Sequence, residues 1–132
     1  MKKLGLLLML FAFALVFQAN AQESASGAVI TFKEKSVDFG DIVQGAKVEH
    51  TFILTNEGTV PLVISNVAAT CGCTVPSWPK EPVAPGKSAE IKVSFNSTGK
   101  MGKQNSVVRI YSNATEPIEK VSLISNILPK TN

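Results

Sequence analysis

Ala89-Glu90-Ile91-Lys92-Val93-Ser94-Phe95-Asn96 alternates without a break. Ile91, Val93 and Phe95 fall on one side, and Glu90, Lys92 and Ser94 on the other. Successive side chains of an extended chain point to opposite faces. A period of two therefore spells a strand with one face in a core and one in water. The pattern spreads outward in both directions. Upstream, Lys47–Asn56 puts Val48, His50, Phe52 and Leu54 on one face and Glu49, Thr51, Ile53 and Thr55 on the other. Ala28–Phe32 and Ser36–Phe39 are shorter runs of the same kind, the second with Val37 and Phe39 opposite Asp38. Gly40 and Gly45 bracket Asp41–Gln44, read as a short strand or loop with a turn at each end. Leu62–Ala68 places Leu62 and Ile64 on one face and Val63 and Val67 on the other. Downstream, Val107–Ser112 is apolar on both sides except at Arg109, and Lys120–Leu128 is the last run. Arg109 calls for a carboxylate partner such as Glu49 or Glu90.

Turns separate these runs. Asn56-Glu57-Gly58-Thr59 is a turn by composition, with Gly58 free to take positive φ. Pro85-Gly86 suits the centre of a type II turn. Pro76, Pro79, Pro82 and Pro85 argue against regular pairing from Pro76 to Pro85. About seven strands at roughly 8–12-residue spacing predict an all-β, immunoglobulin-like antiparallel sandwich over residues 28–130, with a barrel as the second architecture. No helical i, i+3, i+4, i+7 stripe follows residue 21.

The first 21 residues are of a different kind. Lys2 and Lys3 precede an uncharged apolar run, Leu4–Phe17, and Ala19-Asn20-Ala21 is a small-x-small cleavage site. That order is a secretory signal peptide, shorter in its apolar part than the roughly 20 residues a membrane span needs. The expectation is an exported protein, periplasmic or secreted, that starts at Gln22 after cleavage and has no membrane span in its mature chain. Residues 22–27, small and polar, read as a flexible leader. The 132-residue chain carries 13 Lys+Arg against 10 Asp+Glu. Without Lys2 and Lys3 the balance is 11 against 10, a net +1. No basic run remains, so nucleic acid is excluded as a partner class.

One stretch concentrates the residues with chemistry. Ala69-Thr70-Cys71-Gly72-Cys73-Thr74-Val75-Pro76-Ser77-Trp78-Pro79 holds both cysteines and the single tryptophan. Residues i and i+2 of an extended chain point the same way, and a turn at Gly72 brings their Cα atoms within disulfide reach. Four readings stand side by side: a local Cys71–Cys73 disulfide, two buried free thiols, a redox-active pair, and a metal site. Two thiolates fill half of a tetrahedral zinc site, so copper(I) is the better cofactor candidate, with His50 as third ligand. A lone His on an apolar strand face is also an ordinary core or edge residue. Trp78, Thr74 and Pro76 are candidates for binding a partner, with Trp78 alternatively a lid over one end of the sandwich. No nucleophile–base–orienter set, phosphate loop or dinucleotide fingerprint is present, which points away from an enzyme.

Several of these segments together resemble the bacterial domain-of-unknown-function family 1573. They are Val37-Asp38-Phe39-Gly40-Asp41-Ile42, Gly45, His50-Thr51-Phe52, Asn56-Glu57-Gly58, Pro61-Leu62-Val63-Ile64, Cys71-Gly72-Cys73-Thr74-Val75-Pro76, Pro85-Gly86 and Ser112-Asn113. The resemblance implies a small exported immunoglobulin-like domain and singles out Cys71 and Cys73. The strand alternation is also similar, at the level of fold, to domains related to major sperm protein and pilus chaperones. Two functions are carried forward: a non-enzymatic binding or assembly module of the cell envelope with a protein partner, and a thiol–disulfide or copper site on Cys71 and Cys73.

Overall fold

In the computed structural model, residues 27–131 form eight strands and no helix. The expected signal peptide and residues 22–26 of the leader lie outside these described residues. The strands are β1 (Ile30–Phe32), β2 (Ser36–Val43), β3 (Lys47–Asn56), β4 (Ile64–Ala69), β5 (Thr74–Ser77), β6 (Ser88–Asn96), β7 (Gly102–Ser112) and β8 (Ile118–Leu128). They make two four-stranded sheets, ordered β1-β3-β6-β5 and β2-β8-β7-β4. No helix among the described residues is long and apolar enough to cross a membrane.

The alternation explains the core. Phe52 and Leu54 of β3 join Ile91, Val93 and Phe95 of β6 on the inner face of the first sheet. Val108 and Ile110 of β7 join Val121, Leu123 and Ile127 of β8 on the inner face of the second. Nearly all are fully buried, and each such side chain contributes about 1.5–3 kcal/mol of burial free energy.

The sandwich is the expected one, with four differences in detail. There are eight strands, not seven, because Thr74–Ser77 pairs with β6 despite Pro76. Proline is tolerated there because β5 is a sheet edge, where one flank needs no ladder bond. Ser36–Val43 is one strand, not a strand ending at Phe39 followed by a separate short strand or loop. Gly40 at φ 69° takes up a bulge between Asp38 and Asp41, and Asp38 Oδ1 accepts from the Gly40 N–H at 2.8 Å. The β2–β8 pairing is parallel, since the chain changes sheets within Lys33–Lys35. In β4 an irregularity between Ile64 and Asn66 turns Val67 inward beside Ile64, while Val63 stays exposed.

Two supposed roles are also corrected. Arg109 is exposed and lies across from Ala68 and Lys120 in the second sheet, whereas Glu49 and Glu90 belong to the first. It stands in the outward register of β7, where water solvates it and no carboxylate is required. Gly58 does not take positive φ; a side chain there is excluded by Gly27–Val29, which passes directly over it.

Candidate functional site

The chain crosses from the edge of one sheet to the edge of the other between β4 and β5. The crossing is Thr70–Cys73, and hydrogen bonds hold it from both sides. Thr70 N–H donates to Val107 O of β7 at 3.0 Å, and Asn96 N–H of β6 donates to Cys73 O at 2.9 Å. Thr74 N–H donates to Cys71 O at 3.2 Å, which closes a four-residue turn. Within that turn Cys71 and Cys73 are joined as a disulfide, with Cα atoms 5.3 Å apart. Gly72 does not use positive φ, and a Cβ there would meet nothing within 4 Å. The turn is therefore made by the bracketing hydrogen bonds rather than by glycine's conformational freedom.

A three-residue disulfide loop restricts the unfolded chain little. The double variant Cys71→Ser/Cys73→Ser is expected to fold and to lose only about 1.5 kcal/mol in chemical denaturation. Loss of the folded state would make the bond a structural staple instead.

Thr74 is 3% exposed and points inward. Its hydroxyl lies 2.6 Å from Ser106 Oγ of β7, a polar link between the sheets. The same hydroxyl is 4.0 Å from Cys71 Sγ and 3.8 Å from Cys73 Sγ. The Cys73 N–H donates to Cys71 Sγ at 3.1 Å. Two concavities flank the bond. A small one of about 60 Å³ is lined by both cysteines, Lys100 and Ser106. A larger one of about 280 Å³ is lined by Gly72, Cys73, Val75 and Lys47. Each carries one lysine, and among the described residues neither lining includes a carboxylate.

Beyond Ser77 the chain leaves β6. Along its whole length β6 pairs with β3, but β5 covers only Lys92–Phe95. Among the described residues, no strand pairs with Ser88–Ile91 on that flank. A groove of about 790 Å³ runs there, between β6 and the proline-rich return loop, lined by Trp78, Pro79, Pro82 and Val83 among others. Lys80 Nζ sits 3.2 Å from the centre of the Trp78 ring, a cation–π contact that fixes the indole as one wall. Val83 anchors the loop by two 2.8 Å hydrogen bonds with Leu62.

The structure separates residues that the sequence groups together. Thr74 and Pro76 share the inward register of β5, and Trp78 just beyond it is partly buried against the core, so Thr74 is not a surface contact. The outward residues of that strand are Val75, 60% exposed, and Ser77. Strict alternation through the prolines would have found them. Trp78 borders the long groove rather than either concavity beside the sulfurs. His50 is not placed as a third metal ligand. It sits on β3, with β6 between it and β5, and its Nε2 lies 2.7 Å from Glu34 Oε1. The rings of Phe39 and Phe52 pack edge-on against it at 6.4 and 4.7 Å between centroids. Among the described residues no three His, Cys, Asp or Glu side chains gather as a metal set. The supposed copper trio is thus not assembled, because strand order holds His50 away from the cysteines.

Two four-stranded sheets stacked face to face, with the chain crossing between them from β1 to β2 and from β4 to β5, define an immunoglobulin-like β-sandwich. The chain belongs to the family described as protein of unknown function (DUF1573), whose model matches residues 30–127. Among solved structures, it is similar to a protein of unknown function from Porphyromonas gingivalis W83, at TM-score 0.67 and 16% identity, covering 80% of this chain and 50% of that one. It is similar to the ASH/PapD-like domain 7 of human CEP192, at TM-score 0.64 and 11% identity, covering 80% and 89%. It also matches the secreted serine protease VesC of Vibrio cholerae, at TM-score 0.60 and 15% identity, covering 79% of this chain and 24% of the protease. The chain thus spans half of the Porphyromonas protein and about a quarter of VesC, and at these identities the likeness is one of fold. No curated protein matches the chain.

Proposed function

We propose that the protein is an exported, non-enzymatic binding or assembly module of the cell envelope. Its partner would be an extended segment of another envelope protein, received along the open flank of β6. The observation that carries this reading is the stretch Ser88–Ile91 beside the Trp78 groove, paired with β3 on one flank and with no strand among the described residues on the other. A sheet edge with free N–H and C=O groups accepts an added strand, and a neighbouring groove takes alternate side chains of the incomer. Trp78 supplies a rigid aromatic wall of the kind that anchors peptides. The Cys71–Cys73 bond and the N-terminal segment both favour an oxidising, exported setting.

The test is selection of a random heptapeptide library on the full chain, followed by titration read from Trp78 fluorescence. Trp78 is the only tryptophan, so the signal reports on the groove itself. Selected peptides are expected to lose at least about tenfold in affinity when alternate backbone amides are N-methylated, and again on Trp78→Ala. Failure to select binders, or binders indifferent to N-methylation, would overturn strand addition at this site.

A further inference from the structure

We propose that Cys71–Cys73 is a directional disulfide donor, in which an incoming thiolate attacks Cys73 and Cys71 leaves. This activity is separate from the peptide groove and does not depend on it. The two sulfurs are chemically unequal. Among the described residues, Cys71 Sγ receives a backbone N–H, that of Cys73 at 3.1 Å, and Cys73 Sγ receives none. A hydrogen bond to the charged form stabilises a thiolate, so Cys71 is the better leaving group. The Thr74 hydroxyl reaches both sulfurs, and its 2.6 Å bond to Ser106 lets Ser106 supply one proton while Thr74 turns its own toward the turn.

Access has the same polarity. Cys73 lines both concavities, and Cys71 lines only the small one. In the proposed direction, attack in line with the S–S bond comes from the side of the larger concavity onto Cys73 Sγ, and displaces Cys71 toward the smaller. Lys47 borders the entry side and Lys100 the leaving side, with no carboxylate in either lining. Both the attacking and the departing anion meet positive charge, the condition that makes cysteines reactive.

The substrate class is a pair of cysteine thiols in an extended or unfolded polypeptide. In the first step a substrate thiolate bonds to Cys73 Sγ, the Cys71–Cys73 bond breaks, and Cys71 departs as a thiolate. In the second, the other substrate thiolate attacks the substrate sulfur of the mixed disulfide and releases Cys73. The substrate loses two electrons and two protons and becomes a disulfide; Cys71 and Cys73 take up both and become thiols.

The test uses the full chain purified without reductant and treated with reduced glutathione. Samples are quenched in acid, alkylated and mapped by mass. Glutathione is expected on Cys73, with Cys71 alkylated, in at least about tenfold excess over the reverse adduct. The rate is expected to exceed that of a free peptide of sequence 69–79 by about tenfold or more. In Lys47→Gln/Lys100→Gln, checked for unchanged folding by circular dichroism, it is expected to fall at least about threefold. Adducts mainly on Cys71, or a rate no higher than that of the free peptide, would overturn the proposal. An unchanged rate in the lysine variant would overturn its electrostatic part.

Discussion

Asn56→Ala is expected to destabilise the domain by at least about 3 kcal/mol, with a fall in melting temperature of more than about 12 °C. Asn56 ends β3 with 0% exposure, and its amide is fully used. Oδ1 accepts from the N–H groups of Gly58 at 3.0 Å and Val29 at 3.3 Å. Nδ2 donates to Val60 O at 2.8 Å and Val83 O at 2.9 Å. Its backbone adds two more links, donating to Lys87 O at 2.9 Å and accepting from Gly86 N–H at 2.7 Å. One side chain thus ties the approach to β1, the β3–β4 turn and the loop that forms the groove. Alanine would leave Gly58 N–H, Val29 N–H and Val60 O without the partner Asn56 gives them, each costing about 1–3 kcal/mol where water cannot reach, while Val83 O would keep only its bond from Leu62 N–H. Asn56→Asp keeps an acceptor but sets an oxygen against two carbonyls, so it is expected to be no better. Thermal unfolding of both variants checks this, and a loss below about 1 kcal/mol in either would show that water replaces the amide.

Gly58→Ala is expected to cost about 3 kcal/mol, whereas Gly72→Ala is expected to change stability by less than about 1 kcal/mol. A Cβ on Gly58 would collide with Gly27 O and stand 2.6 Å from Val29 N and 2.7 Å from Ala28 Cα. All three are backbone, so no side chain can swing away. The turn cannot slide either, because Glu57 N–H donates to Val29 O and Thr59 N–H to Gly27 O, both at 2.9 Å. At Gly72 the space is open and φ is not positive. Denaturant titration of the two variants side by side is the check. Equal effects would mean that the N-terminal strand is not seated against the turn.

These two glycines mark where the sequence could be read and where it could not. Alternation along Lys47–Asn56 and Ala89–Asn96 predicts strands, faces and core, because burial of one face imposes a period of two. Close approach of distant backbone leaves no local trace. Gly58 reads as a turn glycine, although Gly27–Val29 is what demands it. Asn56 likewise reads as a turn residue, while its four partners come from three separate segments. Composition misleads at β5, where four prolines hide an edge strand that needs hydrogen bonds on one flank only. Which strands pair is set by the whole fold, so the parallel β2–β8 ladder and the gap between His50 and the cysteines are invisible locally. The Cys71-Gly72-Cys73 spacing is legible as a possible disulfide. The lysines on either side of it come from β3 and the β6–β7 connection, and only the folded chain brings them there.

The central claim is that the flank of β6 beside Trp78 is open and receives a strand. Residue-resolved amide hydrogen exchange on Ser88–Ile91 tests it most directly. Alternate amides of an antiparallel strand point to opposite neighbours, so those facing away from β3 have no strand to protect them in the free protein. They are expected to exchange rapidly in the free chain, while Val93–Phe95, covered on both flanks, stay protected. A selected peptide is expected to slow the rapid set at least about tenfold. Full protection of Ser88–Ile91 in the free protein, or no change on binding, would contradict the account.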